Sequence, residues 1–553
     1  MRESGTRILR GLLNRPRWLA AATRYRALRA GIATRLRSPL VARTVSVLFT
    51  VATVAFPVYV FLLFNDGMEH HPDFGDEGFF AWCGWALTKG LTPYRDFLEF
   101  KPPFVFLTYA LALKLFGFAG YRYREFFTYF PLVSIVALQL SLLSRRVDRL
   151  LAMGLTLALI QVWVTQAFHD TALTDTESVG LAYYFLGVAF LIARSRWPAI
   201  AQAVGTAFLI CCAQSKEPFL PCAGITWAAC FFMSERRGDL RADVIRYAQN
   251  TATGAAVVVV GLCLYMIPTG ALVAYIRVIR RYTILYRDPV QSFCVAGGVF
   301  HPTTPLNDLW RQWCTVSNNY LNLPLAGFLI PFAAVAIIYL RRRSLAQLVI
   351  TALACVAGFI AVAASNCPWK HYYNMLLGGL FFALAVGLDA MMPDFRLLAR
   401  PVRVVIRVAM LTGLCIVLWP RLLSEQAAFG KRTFGSPMIE PAPGVFEAVA
   451  KYTTPDDRIA TSGNPILYVQ VNRRSAIRES NLLDPILGFY VGNTDEEKLR
   501  PVYDELVKSR PKLVVLDPSY AHARPRHQRA LWGPFLTNYH YTKLTENIYL
   551  RPD

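Results

Sequence analysis

Long runs of apolar residues alternate with short polar segments along most of this chain. Several runs approach the length of about 20 residues that a helix needs to cross the hydrocarbon core of a bilayer. The pattern therefore predicts an all-α polytopic membrane protein with about 11 transmembrane helices. The predicted spans are Val45–Phe64, Glu125–Leu143, Leu151–Phe168, Val179–Ala193, Ile200–Ala213, Phe219–Met233, Thr253–Ile267, Leu323–Leu340, Gln347–Ala364, Tyr372–Leu388 and Val404–Leu418.

The positions of arginine clusters predict the orientation of the helices across the membrane. Residues 1–44 contain 11 Arg and one acidic residue. Further clusters fall at alternate ends of the spans, at Arg145–Arg146, Arg194–Arg196, Arg236–Arg237, Arg341–Arg343 and Arg400–Arg403. Because cytoplasmic loops are enriched in Lys and Arg, we expect a multi-pass protein of the cell (inner or plasma) membrane with its N-terminus in the cytoplasm. The same clusters explain the net charge of +22 without a nucleic-acid partner.

Composition divides the chain into three parts. Residues 1–44 form a basic cytoplasmic segment, residues 45–422 a transmembrane domain with extracytoplasmic loops at 65–124 and 268–322, and residues 436–553 a soluble part. In the soluble part, helical patterns alternate with short apolar strands, which predicts a small extracytoplasmic α/β domain. Its predicted elements are helices Pro441–Thr453, Asp495–Ser509 and Arg526–Leu536, strands Arg458–Thr461 and Lys512–Leu516, and a hairpin of Tyr539–Leu544 and Asn547–Leu550.

The predicted topology collects the unusual polar residues on the extracytoplasmic face. They are Asp73, Asp76, Glu77, Glu99, Lys101, His169, Asp170, Asp175, Glu177, Lys216, Glu217, the Arg277–Arg287 group, Lys370 and His371. Ionisable groups near membrane depth are costly and usually functional. A carboxylate can take a proton from an acceptor hydroxyl, while Lys and Arg can bind phosphate and stabilise a leaving phosphate oxygen. This combination predicts glycosyl transfer from a phosphate-activated sugar. If that sugar is carried on a polyprenyl lipid, its phosphate lies at headgroup level, where these loops are.

Three motifs carry a resemblance to a known group of enzymes. Asp76-Glu77 follows the first span, Lys101-Pro102-Pro103 comes some 25 residues later, and Thr174–Glu177 forms a second acidic loop. In this order, with Arg124 opening the next helix, they resemble the GT-C superfamily of membrane glycosyltransferases. The likeness is greatest to the protein O-mannosyltransferase and lipid A aminoarabinose transferase branch.

The resemblance implies an inverting transfer from a polyprenyl-phosphate sugar, with Asp76 as the general base. It also implies phosphate contacts from Lys101 and from a basic residue of the large loop, and Asp175 resembles the second acidic position. The chain departs from the aminoarabinose transferases, which read Glu-Lys-Pro-Pro, because Phe100 separates Glu99 from Lys101 here. Glu99 therefore inherits no role from the resemblance, and lipid A is not implied as the acceptor.

The predicted site consists of three groups. The catalytic group is Asp76, Asp175 and Glu77, and the donor-phosphate group is Lys101, Arg280, Arg281 and Lys216. The further possible substrate contacts are Glu99, Arg124, Asp170, Lys370 and His371. We expect no metal and no cofactor, since the lipid-linked sugar is a substrate and adjacent histidines such as His70 and His71 rarely ligate one ion.

Each motif also has a purely structural interpretation. An acid in the first turn caps a helix, and Pro after Lys101 starts one. The arginines near 280 could contact lipid headgroups only, and Lys216 could extend its charged end to the membrane surface. Cys294 and Cys314 share one outer loop, and their spacing leaves open whether they pair.

Two other functions fit part of the pattern. A flippase of lipid-linked sugars would need the phosphate contacts but no base, and it predicts polar groups at the bilayer midplane. A polymerase or ligase would use a diphosphate-linked glycan. The acids lie at predicted helix ends, which favours the glycosyltransferase. The sugar and the acceptor, whether a protein hydroxyl, a lipid or a glycan, stay open.

Overall fold

The structure is a computed structural model that describes residues 39–65, 75–170, 173–233, 239–285, 345–364, 374–410, 412–413, 443–478, 495–516 and 525–552. Several predictions fall outside these residues or concern side chains that the structure does not describe. They include most of the basic segment 1–44, the span Leu323–Leu340, the end of the span Val404–Leu418, the Cys294–Cys314 question, Lys370, His371, and the side chains of Asp170 and Arg281.

Helices dominate the described chain up to residue 413. They are α1 (Pro39–Asn65), α2 (Gly75–Thr88), α3 (Pro103–Phe116), α4 (Tyr123–Ser144), α5 (Arg149–Asp170), α6 (Thr176–Ile192), α7 (Pro198–Ala213), α8 (Phe219–Met233), α9 (Leu240–Met266), α10 (Ala271–Leu285), α11 (Leu345–Ala364) and α12 (Asn374–Leu397). A short 3-10 helix, Ala119–Tyr121, precedes α4, and a helical stretch at 400–410 follows α12.

Four of the described helices are long and apolar enough to cross a bilayer: Leu40–Leu63, Ala119–Ser144, Leu240–Met266 and Asn374–Leu397. Helices α3, α6, α7 and α8 and the described part of α5 are apolar but shorter. The chain is therefore a helical membrane protein, as its sequence predicts. The number of about 11 spans stays a prediction.

Two helices differ from the sequence-based expectation for local reasons. Helix α9 begins at Leu240, before the predicted Thr253, because the Asp239 carboxylate accepts a hydrogen bond from the backbone N–H of Arg241 at 2.9 Å and caps the helix. Helix α10 forms inside the segment 268–322 that the sequence analysis treats as a loop. It buries Ala271 and Val278 and leaves Arg277 and Arg280 exposed, so it is held by one face.

The membrane helices pack closely where small residues face each other. An added Cβ at Gly379 of α12 would lie 2.2 Å from the carbonyl oxygen of Ala354 in α11, so these two backbones are nearly in contact. Small residues permit such approaches between membrane helices. One apolar core runs through α4 to α8, α11 and α12, and it includes Trp163, Phe185 and Phe382.

The C-terminal part contains a five-stranded mixed sheet. Its strands are β1 (Arg458–Thr461), β2 (Arg474–Ser475), β3 (Leu513–Val515), β4 (Thr542–Lys543) and β5 (Ile548–Leu550), in the spatial order β2-β1-β3-β5-β4. Strand β1 pairs in parallel with β2 and β3, and β5 pairs antiparallel with β3 and β4. Helices α13 (Val445–Tyr452), α14 (Ile466–Gln470), α15 (Asp495–Ser509) and α16 (Pro525–Asn538) accompany the sheet.

A second apolar core joins this sheet to α2 and α3. Its buried members include Phe80 and Trp82 of α2, Phe106 of α3, Tyr468 of α14 and Leu513 of β3. The Trp82 and Tyr468 ring centroids are 6.0 Å apart. The buried face of the sheet therefore packs against α2 and α3, the two helices that flank the predicted site.

The close packing of α2 on α3 is directly testable at Gly84. A Cβ there would lie 2.5 Å from the Tyr109 Cβ and 2.7 Å from the backbone N of Ala110. We expect Gly84→Ala to lower the free energy of unfolding by about 1–3 kcal/mol, since overpacking forces the helices apart. The measurement is unfolding in mixed detergent and SDS micelles, followed by tryptophan fluorescence.

The matched control is Gly224→Ala in α8, where an added Cβ meets nothing within 4 Å. That variant is expected to be neutral or slightly stabilised, as for an unhindered helical glycine. Equal behaviour of the two variants would contradict the packing described for α2 and α3.

Candidate active site

Glu77, on the first turn of α2, forms a buried ion pair with Arg124 at the start of α4. The Arg124 Nε donates to the Glu77 Oε1 at 2.6 Å and the Nη2 to the Oε2 at 3.1 Å. The Tyr123 hydroxyl also donates to the Glu77 Oε1 at 2.6 Å. All three residues are buried. Both carboxylate oxygens are therefore used to tie α2 to α4.

Asp76, the neighbouring residue, is exposed at the start of the same helix. Consecutive residues of an α-helix point about 100° apart, because 3.6 residues make one turn. The buried pair at Glu77 thus fixes the direction in which Asp76 projects. Of the two adjacent acids, Asp76 is the one available to a substrate.

Glu99 and Lys101 form a second ion pair in the loop between α2 and α3, in which Glu99 is buried and the Lys101 side chain is 12% exposed. The Lys101 Nζ is 3.8 Å from the Glu99 Oε1, and the backbone N–H of Lys101 donates to the same oxygen at 3.2 Å. The ammonium also lies 4.7 Å from the centroid of the Phe80 ring and 4.8 Å from that of Phe100. The Tyr94 hydroxyl donates to the Lys101 carbonyl oxygen at 2.7 Å and fixes the loop.

The charges of this loop act on one another. Burial raises the pKa of Glu99, Lys101 opposes that shift and the charge of Asp76 adds to it. Burial lowers the pKa of Lys101, but the carboxylates of Glu99 and Asp76 outweigh it and hold the pKa above its usual value. Lys101 therefore remains protonated at neutral pH, and it lies within electrostatic range of the exposed Asp76.

Lys216 belongs to a third ion pair, with Glu177 of α6, and both of these residues are buried. The Lys216 Nζ is 2.5 Å from the Glu177 Oε1, and the Thr176 hydroxyl donates to the Oε2 at 2.8 Å. The charges of Lys216 and Glu177 both influence Lys101, so the second and third pairs are neighbours. A backbone hydrogen bond of 3.2 Å from the Phe104 N–H to the Gln214 carbonyl joins their two loops.

Asp175 is buried at the residue preceding α6, and its side chain makes no capping hydrogen bond to that helix. The preceding residue is held in place because the Tyr109 hydroxyl donates to the Thr174 carbonyl oxygen at 2.6 Å. Tyr109 is within electrostatic range of both Asp175 and Glu77. This arrangement connects the second acidic motif to the first.

Most of the described site residues therefore meet in one place. Asp76, Glu77, Glu99, Lys101, Arg124, Asp175 and Lys216 belong to a connected set of charges where α2, α3, α4 and α6 begin. Arg280 is exposed on α10, and that helix packs on the site loop through Tyr275, whose ring centroid is 4.7 Å from that of Tyr94. The roles assigned to these residues stay predictions.

The sequence analysis did not identify Tyr123, which shares the Glu77 carboxylate with Arg124. Its position next to Arg124 was the only signal in the chain that could have pointed to it. In the described ranges, no group of three or more His, Cys, Asp or Glu residues is arranged to hold a metal ion. The expectation of a metal-free site stays a prediction.

Solved structures of other membrane proteins are similar to this chain. The apo structure of ArnT from Cupriavidus metallidurans is 12% identical, with a TM-score of 0.52 over 91% of this chain and 98% of that one. The undecaprenyl-phosphate complex of the same protein gives 14% identity and a TM-score of 0.44 over 91% and 97%. The Archaeoglobus fulgidus oligosaccharyltransferase tethered to an acceptor peptide gives 12% and 0.47, over 91% and 74%.

The apo ArnT comparison carries the assignment of the fold. It shows that the fold of this chain resembles that of ArnT over nearly the whole length of both chains, in agreement with the resemblance that the three motifs suggest. No protein-family model matches this sequence, and a search of curated proteins finds no relative. The likeness therefore concerns the fold, and the chemistry is argued from this chain's own residues.

The buried pair of Glu77 and Arg124 makes a sharp prediction. We expect Arg124→Gln to lower the free energy of unfolding by about 3–5 kcal/mol, because it leaves a carboxylate buried without its cation. The matched control is Arg122→Gln two residues earlier, where the pair with Glu125 is 63% and 35% exposed and is worth about 0–1 kcal/mol. Unfolding in mixed micelles measures both, and equal losses would contradict the anchoring role.

Proposed function

We propose that this protein is an integral membrane glycosyltransferase. It transfers a sugar, with inversion, from a polyprenyl-phosphate-linked donor to an acceptor on the extracytoplasmic face. The observation that carries the proposal is the exposed carboxylate of Asp76 within electrostatic range of the protonated Lys101, beside two further buried ion pairs. A base and a phosphate-binding cation are the two groups that such a transfer requires.

In the proposed reaction, Asp76 accepts the proton of an acceptor hydroxyl as the hydroxyl oxygen attacks the anomeric carbon. The bond between that carbon and the phosphate oxygen breaks on the opposite face of the sugar, which inverts the configuration. The electron pair leaves with the phosphate, and Lys101 stabilises the added negative charge. Asp76 then returns its proton to water, which its exposure permits.

Lys101 suits this role because nearby carboxylates keep its ammonium protonated, while its contact with Glu99 is too long for a direct hydrogen bond. The ammonium is 3.8 Å from Glu99, longer than a direct hydrogen bond, and its other near neighbours include the Phe80 and Phe100 rings. A phosphate oxygen can therefore become its main hydrogen-bond partner. By contrast, Lys216 is 2.5 Å from Glu177, so its proposed phosphate contact requires sharing or exchanging that partner.

The remaining site residues take supporting roles in the proposal. Glu77 and Arg124 hold the first turn of α2, and the buried Asp175 helps to arrange the acceptor or the base. Contacts from Arg280, Arg281, Glu99, Asp170, Lys370 and His371 to the donor or acceptor also belong to the proposal.

The donor lipid and the location complete the proposal. ArnT, whose apo structure shares the fold, also has a structure with bound undecaprenyl phosphate. A phosphate on such a lipid lies at headgroup level, where loops at helix ends can reach it. We therefore place the site at the extracytoplasmic surface of the cell membrane, with the N-terminus in the cytoplasm and the C-terminal sheet outside.

The first test removes the base. Asp76→Asn is expected to lower sugar transfer by about 10²–10⁴-fold, because an amide cannot accept the hydroxyl proton. The assay follows radiolabel from a panel of synthetic polyprenyl-phosphate hexoses and pentoses into acceptors in native membrane vesicles. Turnover within about twofold of wild type would refute Asp76 as the base.

The matched control is Asp96→Asn, which alters a carboxylate of the same outer segment that pairs with the half-exposed Arg95. It is expected to retain transfer. The same variants separate the enzyme from a flippase: lipid flipping that tolerates Asp76→Asn, with no detectable transfer by wild type, would favour the flippase. Mass spectrometry of glycolipids and glycoproteins from a deletion strain would identify the acceptor.

The second test removes the phosphate contact. Lys101→Met is expected to weaken undecaprenyl phosphate binding by about 10–100-fold, since hydrogen bonds to a charged group contribute about 1.5–3 kcal/mol. Native mass spectrometry in detergent measures the binding. The control is Lys89→Met, just beyond the C-terminal end of α2, where the ammonium lies 5.4 Å from the Trp85 ring centroid. Equal affinities for both variants would exclude Lys101 as the phosphate contact.

A further inference from the structure

One short stretch of the C-terminal part contacts three segments of the site. These segments carry Asp76 and Glu77, Glu99 and Lys101, and Arg124. This stretch, residues 464–478, is called the docking segment here and contains α14 and β2. It begins immediately beyond the carboxyl end of β1, where residues Thr461, Ser462 and Asn464 are buried although all three are polar. Loops at the carboxyl ends of parallel strands often form ligand or partner sites.

The first contact is between Asn464 and the first turn of α2. A Cβ built on Gly78 would lie 2.3 Å from the Asn464 Oδ1 and 2.9 Å from its Nδ2, so the amide group lies directly against the helix backbone. The same Oδ1 accepts a hydrogen bond of 3.0 Å from the Ile466 N–H, which fixes the side chain. Gly78 is two residues from Asp76, and any side chain there would displace one partner.

Two further contacts reach the other site segments. The Gln470 Nε2 donates to the Tyr121 hydroxyl at 3.0 Å, just before the Tyr123–Arg124 pair. The Leu98 N–H donates to the Arg478 carbonyl oxygen at 3.1 Å, just before Glu99. The docking segment thus touches the start of α2, the approach to α4 and the Lys101 loop within 15 residues of chain.

We propose that the docking segment aligns these three segments, and that Asn464 is a positioning residue for Asp76. The inference rests on the proposed function, because it takes Asp76 as the base. Asn464 touches the helix that carries the base and acts through the placement of the Asp76 carboxylate. In this proposal the C-terminal sheet is a structural part of the active site, independent of the identity of the acceptor.

Steric compensation at Gly78 and Asn464 tests the proposal. Gly78→Ala is expected to lower kcat by about 10²-fold, as a misplacement of about 1 Å can do, with little change in KM for the donor. The double variant Gly78→Ala/Asn464→Ala removes the obstructing amide and is expected to recover about tenfold of that loss. The control is Asn538→Ala, which removes an exposed hydrogen bond from the Asn538 amide to the Tyr503 hydroxyl in the same part of the chain. It is expected to retain wild-type kcat.

A second readout does not depend on catalysis. Hydrogen–deuterium exchange of the full-length protein reports on the first turn of α2, where Gly78→Ala is expected to speed exchange and the double variant to slow it again. Gln470→Ala is an independent variant, expected to speed exchange around Tyr121 and lower kcat by up to about tenfold without raising KM.

The outcomes separate the two proposals. A Gly78→Ala variant that matches wild type in exchange and kcat, or a double variant no better than Gly78→Ala, would overturn the positioning role. If wild type transfers no sugar, the proposed function fails, and the exchange pattern alone then decides whether the docking segment aligns α2.

Discussion

The fold around the site depends on one electrostatic constraint: a carboxylate taken out of water must meet its cation. Glu77 meets this constraint with Arg124 and the Tyr123 hydroxyl, at 2.6 Å each. Glu99 with Lys101 and Glu177 with Lys216 repeat the solution nearby. Since buried pairs are costly to break, the Glu77–Arg124 pair fixes α2 against α4, and the Glu177–Lys216 pair fixes α6 against the loop before α8. The Glu99–Lys101 pair acts within its own loop. Asp76 stands outside this pairing and keeps its freedom to react.

The sequence predicts which charged residues of the site come together, and it predicts the bounds of some regular elements. The motif order of Asp76-Glu77 and Lys101-Pro-Pro predicts a charged cluster before α3 and α4, and the described residues do meet there. Strand β1 and helix α15 also have the predicted bounds. These features follow from local propensity and from periodicity, which one sequence records directly.

What the sequence does not record is the pairing between distant residues. The contact of Asn464 with Gly78 joins positions far apart in the chain, and neither residue differs in type from an ordinary turn or helix residue. Strand β2 is two residues long and helix α14 five, too short for any periodic signal. Helix α10 is held on one face by Tyr94 and its neighbours, which its own composition could not reveal.

The buried pair at Glu77 also constrains how such a chain can change over generations. Losing Arg124 alone would leave a carboxylate in a dry interior, and losing Glu77 alone would leave a guanidinium there. A step that alters both residues together, to apolar side chains of similar volume, avoids either intermediate. Relatives of this protein should therefore inherit the two residues as a unit, so that positions 77 and 124 vary jointly.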